Sequence, residues 1–472
     1  MVGALPRRVS TGRPGTARPG TVRSGTARAG GRRAGTDRPV RPARAGRSAS
    51  ALLAVLGVTY WAAHTMLRPL IGPYVLAGGG SEQQASLALA SFAILPTLLA
   101  IPLGALTDRW GVRTLLVVGG ATMAVGGGVL VLPLGLPGVV ASQAVIGVGT
   151  LAVWVSLQTV ATLPQSADEA PRARNARLAT FSLFLAAGQA VGPALGTGVA
   201  EVGGYAASFV VYTALSLVLV GLGLAVRVER PTRGAAPVPV LRSFRDAAAM
   251  VRVPAVATTL VVSFTALVVL DIRTAYHPLV LGQAGVPQWQ VGLLLSVAAA
   301  AAFVSRPFFP LAMARLREST TVGLVLVVSS VSVVAVAFVP PAPWLLAALA
   351  AVNGFALGFA QPLTLALMAD HTPADRRGLA SGLRSTANRG AQLANPAAFG
   401  LLSGVVPLVG AFGVVGGALL VTSVASTWAL RRAARPTTAP SSPAEVAPPA
   451  VARPEPGRAA AAPAPVAVPD TA

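Results

Sequence analysis

The feature that most constrains this chain is a series of long apolar runs. Twelve of them follow one another, near residues 51–77, 86–106, 113–133, 137–162, 178–200, 205–226, 253–275, 290–312, 320–340, 343–368, 379–403 and 407–430, each separated from the next by Gly, Pro or charge. A helix needs about 20 apolar residues to cross the hydrocarbon of a bilayer, and every run is near that length. Over the whole chain 54% of residues are hydrophobic and only 11% are charged, against about 25% charged in soluble domains. No soluble core could hide that much apolar surface. Lipid can, but it offers no partner to a backbone N–H or C=O, so each span must satisfy its own hydrogen bonds as a helix. The expected fold class is an all-α membrane protein with twelve transmembrane helices.

Arg residues fall on alternate loops. One set carries Arg109 and Arg113, then Arg172, Arg174 and Arg177, then the stretch from Arg227 to Arg252, then Arg315 and Arg317, Arg376 and Arg377, and Arg431, Arg432 and Arg435. The other loops, near 78–85, 134–137, 201–204, 282–289, 340–343 and 404–407, hold none. Arg-rich loops stay in the cytoplasm, so both termini are expected there and the number of spans is even. The longest such loop, 227–252, divides the spans six and six. The expected organisation is an N-terminal bundle over 50–226, a central cytoplasmic loop over 227–252 and a C-terminal bundle over 253–432, crossing the cell membrane many times. Residues 1–48 form an Arg-, Gly- and Pro-rich arm, with Arg13, Arg18, Arg23, Arg28, Arg33 and Arg38 at five-residue spacing, and 433–472 form an Ala/Pro-rich tail. Neither has the apolar content to offset the entropy of ordering, so both are expected to be disordered.

The formal net charge of +22 would suit a nucleic-acid binder, but its distribution argues against one. Twelve Arg and a single acid, Asp37, in residues 1–50 supply half of it. No aromatics are interleaved there for base stacking. The arm either meets anionic lipid headgroups or is an inert extension. The chain has no Cys and no Gly-Lys-Ser/Thr phosphate loop. Cysteine nucleophiles, thiolate metal sites and ATP-driven pumping of the usual kind are thereby excluded. Neither enzyme activity nor a metal or organic cofactor is expected.

The two halves resemble each other at a shift near 205 residues. Pro73-Tyr74-Val75-Leu76 matches Pro278-Leu279-Val280-Leu281, Arg68 falls on Arg273, Arg109 on Arg315 and Pro193 on Pro396. Tandem helical halves with a site between them are a plan for carrying solutes.

Two local motifs stand out. The first is Gly104-Ala105-Leu106-Thr107-Asp108-Arg109-Trp110-Gly111-Val112-Arg113, in the loop after the second span. Gly104 allows close helix approach and Gly111 a tight turn. Asp108 sits at the membrane edge, with Arg109 and Arg113 free to pair with acids or lipid phosphates. This sequence resembles the signature loop of the major facilitator superfamily, G-x-L-x-D-R-x-G-x-R-R, with Thr114 in place of the last basic residue. With twelve spans and duplicated halves, the resemblance covers about residues 50–432. It implies two pseudo-symmetric six-helix bundles and a conformational latch formed by Gly104, Asp108, Arg109, Gly111 and Arg113. By the same resemblance Asp108 faces the start of the eleventh span near Gly378, and Asp168 or Glu169 pairs with Arg113. The alternative is that these charges only fix topology. In the second half the Asp position is Ala314.

The second motif, Gly188-Gln189-Ala190-Val191-Gly192-Pro193-Ala194-Leu195-Gly196, puts small residues on one helix face. It resembles the antiporter motif of drug:proton exporters in the same superfamily, carried by Gly188, Gly192, Pro193 and Gly196, with Thr197 replacing its final Gly. Ordinary small-residue packing is the competing reading. Such exporters often carry a buried Arg in the fourth span, four residues before a Gly. Here that position is Gln143.

Ionisable residues at membrane depth cost roughly 2.5–3.5 kcal/mol on insertion scales and usually face a cavity or a partner. His64 and Arg68 lie one turn apart in the first span. Asp271 and Arg273 lie in the seventh, and Arg384, Asn388 and Arg389 in the eleventh. We expect Arg68, Asp271, Arg273 and Arg384 to line a polar central cavity. Asp271 is the acid deepest in a span and the best proton carrier, and His64 is a second candidate. A static network that orders the helices is the alternative, and Arg68 also has the option of snorkelling to the outer surface. Tyr60, Trp61, Tyr74 and Trp154 are candidates for substrate contact, although such residues are more often anchors or packing.

The expected function is secondary transport of a small organic solute by alternating access, as proton-coupled efflux of drug-like or amphipathic compounds. The expected partners are that solute, the lipid bilayer and the proton, and the expected oligomeric state is a monomer. Proton-coupled uptake of a metabolite or organic anion is the alternative within transport. A non-transporting sensor or scaffold is the alternative outside it.

Overall fold

The computed structural model of the chain describes residues 43–162, 171–226, 249–370, 372 and 377–433. The chain divides into two units, Met1–Ala45 and Gly46–Ala472, and the packed helices belong to the second. Residues 1–42 of the basic arm, 227–248 of the central loop and 434–472 of the tail lie outside the described residues.

Among the described residues the chain is helical throughout, in twelve passes. Helix α1 is Ala43–Ala77, α2 is Glu82–Trp110, α3 is Val112–Val131 and α4 is Gly135–Thr162. One stretch, Pro171–Ala225, is broken at Gly204, whose φ of 74° and ψ of 173° suit glycine alone. The break yields α5 (171–203) and α6 (205–225). Helix α7 is Pro254–Gln283 and α8 is Gln288–Arg315. Helix α9 is Glu318–Ala335, α10 is Pro343–Gly358 continued by Ala360–Asp370, α11 is Arg377–Leu402 and α12 is Leu408–Ala433. The elements follow the apolar runs in order and number.

Eight continuous helices among the described residues are long and apolar enough to cross a bilayer, the α5–α6 stretch counting as one. Helices α1, α2 and α11 are not among them. Helix α1 carries His64 and Arg68, and α11 carries Arg384, Asn388, Arg389, Gln392 and Asn395. These polar side chains of α1 and α11 face the site described below.

Helices in lipid gain little by burying apolar surface, so close contact through small residues holds them. Within the first half, a Cβ on Gly147 of α4 would stand 2.1 Å from the Phe92 carbonyl oxygen of α2. Within the second, a Cβ on Gly354 of α10 would stand 2.0 Å from the Ala298 carbonyl oxygen of α8. Between the halves, Gly72 of α1 abuts Leu279 of α7, Gly292 of α8 abuts Pro193 and Thr197 of α5, and Gly400 of α11 abuts Ser86 of α2.

Polar contacts between the halves gather at the end whose loops lack Arg. Gln283 donates to Glu82 Oε1 over 2.7 Å, and the Gln288 N–H donates to Glu201 Oε2 over 3.1 Å. The Gln288 side chain donates to Tyr205, and the Tyr276 hydroxyl donates to Ser86 Oγ over 3.1 Å. The molecule is closed at this Arg-free end.

The outer surface is apolar, with Leu98, Val125, Val191, Val210, Leu217, Val304, Leu324 and Val421 all exposed. Of the six Trp, four are exposed near helix ends: Trp110 and Trp428 at the Arg-rich end, Trp289 and Trp344 at the Arg-free end. They form two interfacial belts, one for each face of the bilayer. Arg432 stacks on the Trp428 ring at 3.4 Å. The remaining two, Trp61 and Trp154, lie mid-helix. Length, composition and belts together make the chain a multi-pass membrane protein.

Candidate functional site

Arg68 of α1 and Asp271 of α7 form the one ion pair among the described residues, and it joins the two halves. The Arg68 side chain is 11% exposed and that of Asp271 is 4% exposed. A charge so far from water persists only if paired and hydrogen-bonded. Asp271 meets both conditions: Arg68 binds one carboxylate oxygen, and Asn395 of α11 donates to the other over 2.8 Å.

Arg273 lies two residues further along α7, in a π-helical turn at Ile272–Tyr276. Two residues on an α-helix are about 200° apart, so Arg273 turns away from the ion pair and into the second half. There it is buried and donates to Asn353 Oδ1 of α10 over 3.0 Å. Asn353 donates onward to the Ser329 carbonyl and Ser332 Oγ of α9. Helix α7 thus carries one charge toward the first half and another into its own.

On α11, Arg384, Asn388 and Asn395 share a face at helical spacing. Asn388 Oδ1 accepts from Ser263 Oγ of α7 over 2.7 Å. Arg384 and Arg389 are partly buried, and neither has a carboxylate partner among the described residues. Arg389 lies within electrostatic reach of Tyr60 and His64 across the halves. Those two belong to an aromatic set on α1 and α4. Tyr60 stacks on His64 and Trp154 with ring centroids 5.8 and 5.9 Å apart. Trp61 meets His64 and Trp154 edge-on at 5.2 and 5.3 Å. Tyr74 is elsewhere, packed on Tyr205 and Phe209 near the Arg-free end.

Inside the first half, His64 and Arg68 also line a small cavity with Phe92 of α2, Gln143 and Thr150 of α4 and Tyr212 of α6. Its volume is about 10 Å³, room for about one water molecule.

Of the signature-loop residues, Gly104, Asp108 and Arg109 fall on the last turns of α2, but the side chains of 100–109 lie outside the described residues, as do Asp168 and Glu169. Gly111 joins α2 to α3 at a φ of 79°, which a side chain would strain, and Arg113 is exposed on the first turn of α3. The second motif seats α1. A Cβ on Gly188 would lie 2.6 Å from the Val58 carbonyl, on Gly192 2.6 Å from that of Ala62, and on Gly196 2.4 Å from that of Met66. These glycines, with Pro193 among them, fix the helix that bears His64 and Arg68. The sequence alone does not single out Asn395, Asn353 or the Glu82–Gln283 and Glu201–Gln288 contacts. For Asn395 a signal exists, since it continues the polar face begun by Arg384 and Asn388.

Two six-helix halves, closed on each other at one end around polar groups at membrane depth, define a carrier that works between its halves. A model of the Major Facilitator Superfamily matches residues 53–342 and 290–466, and the chain belongs to that superfamily. No curated protein matches it significantly. Among solved structures, the nucleoside transporter NupG is 14% identical with a TM-score of 0.69, over 81% of this chain and 99% of that one. The peptide transporter POT is 16% identical with a TM-score of 0.65, over 82% and 94%. A POT family transporter in complex with a thioalcohol conjugated peptide is 12% identical with a TM-score of 0.67, over 82% and 97%. At these identities the likeness is one of fold. The chain has the major facilitator fold and is a transporter, not an enzyme.

Proposed function

We propose that the protein exports an amphipathic organic anion across the cell membrane in exchange for protons, with both termini in the cytoplasm. The observation that carries this is Arg389, without a carboxylate partner among the described residues, within electrostatic reach of the aromatic set of Tyr60, Trp61, His64 and Trp154, with Arg384 likewise unpaired by a carboxylate on the same helix. Cations at membrane depth call for a partner. An organic anion supplies the charge, and the rings take its apolar part. Asp271 is the proton carrier in this scheme: a proton on its carboxylate cancels the attraction to Arg68 and unties the halves. With the Arg-rich loops in the cytoplasm, the closed end is the outer one, which is the loading state of an exporter. The α5 motif, which resembles that of proton-coupled exporters, supports the same direction. Uptake is the second reading, favoured by Gln143 standing where such exporters carry Arg.

The test is flux in proteoliposomes under proton gradients of either sign, with amphipathic carboxylates and their uncharged amides. Carboxylates should move against an opposing proton flow, and Arg389→Gln should slow them selectively. Equal flux of the amides would sink the anion reading. Carboxylates moving with the protons would establish uptake. Undiminished proton drive in Asp271→Asn would remove Asp271 from the mechanism.

A further inference from the structure

The small cavity in the first half gathers buried polar atoms that the protein leaves unpaired. Gln143 Nε2, Thr150 Oγ1, Tyr212 Oη and Arg68 Nε have no hydrogen-bond partner among the described residues. Gln143, Thr150 and Tyr212 are 2%, 3% and 0% exposed, and all four residues line the same cavity. Native proteins leave few buried polar atoms unpaired, and four around one cavity call for a common partner. Their chemistry fits a single water. Gln143 Nε2 and Arg68 Nε can only donate, and they fill the two lone pairs of a water oxygen. The Thr150 and Tyr212 hydroxyls can accept its two hydrogens. The volume holds about one such molecule.

The second half holds its matching Arg by a direct side-chain bond. Arg273 is the counterpart of Arg68 at the 205-residue shift, and α10 is the counterpart of α4. There Asn353 accepts directly from Nη1, while Arg273 Nε has no partner among the described residues, as Arg68 Nε has none.

We propose that this cavity holds one ordered water linking Arg68 Nε to α4 and α6, and that Gln143, Thr150 and Tyr212 thereby position Arg68 for Asp271. The guanidinium is then fixed on three sides. Its Nη2 meets Asp271, its plane lies 5.5 Å from the Phe92 ring centroid, and its Nε meets the water. The tie between the halves depends on residues buried inside the first.

No solute is needed for the test, which therefore stands apart from the reading of the protein as an anion exporter. The chain has no Cys, so spin labels at Ala77→Cys and Ala284→Cys, both exposed at the Arg-free end, report the separation of the halves in nanodiscs. Gln143→Met, Thr150→Val and Tyr212→Phe each remove one hydrogen bond with little change of shape. Each should raise the ratio of separated to closed molecules about fivefold, the effect of one net hydrogen bond. In an Asp271→Asn background the three should add nothing. Unchanged distances in the variants that remain monodisperse would overturn the proposal. So would shifts that persist undiminished with Asp271→Asn, which would mean a general loosening of the first half. Wild-type distances should match in chloride and gluconate. A chloride-dependent closure would overturn the water in favour of a halide.

Discussion

Gly292 is where an added atom would press the two halves apart most directly. A Cβ there would lie 1.7 Å from Thr197 Oγ1 and 2.7 Å from the Pro193 carbonyl oxygen. Thr197 can rotate, at the loss of its 2.9 Å bond to that same carbonyl. The carbonyl itself is backbone and cannot. Helices α5 and α8 must therefore separate by about 0.7 Å to reach the 3.4 Å at which ordinary contact begins. Overpacking a fitted contact costs about 1–3 kcal/mol, which changes a two-state ratio by about 5- to 150-fold. Ala is also the better helix former by about 1 kcal/mol, but that gain is common to both conformations and cancels between them. Gly292→Ala should therefore move the molecule toward the state that is open at the Arg-free end. Labels at Ala77→Cys and Ala284→Cys should show the long distance rising from minor to major, and solute turnover should fall. Gly128→Ala is the control, because nothing lies within 4 Å of its added Cβ. It should leave the distances alone. A Gly292→Ala distribution indistinguishable from that control would refute the reasoning.

Asn353→Leu should act within one half only. It strips the buried Arg273 of its partner, a loss of about 1.5–3 kcal/mol, so melting should fall by several degrees while the label distances hold. A melting temperature within a degree of wild type would contradict this. Glu201→Ala removes a carboxylate from the Gln288 N–H at an exposed site. Its effect on the distances should be smaller than that of Gly292→Ala, and a larger one would show that the outer seal is chiefly polar.

The order and number of helices are legible in the sequence because lipid imposes one rule on every span. The joint between α5 and α6 is legible too, since Gly203-Gly204 interrupts the run. What the runs do not encode is which way each helix faces. A helix apolar on all sides has no period to read, so Arg68 and Asp271 stand out singly while their pairing, across 203 residues, is a property of the packed halves. Arg273 illustrates the same limit. By sequence it shares a cavity with Arg68, whereas the structure gives it to Asn353. The π-helical turn that precedes His277 has no marker in composition. The glycines of α5 announce a smooth face, but only the packed structure shows that α1 lies on it.

The seam at the Arg-free end has a consequence for how it parts. Gly72, Gly292 and Gly400 there meet Leu279, Pro193, Thr197 and Ser86. Water entering between them wets mostly backbone carbonyls and small side chains, which accept its hydrogen bonds. The penalty for wetting apolar surface, about 25 cal/mol per Å², falls instead on the buried side chains that the two halves share in one apolar cluster, Ile71, Val75, Leu279 and Val291 among them. Such a joint is tight by shape and by apolar contact together. It excludes ions while shut, and it hydrates first along its carbonyls when the ion pair lets go.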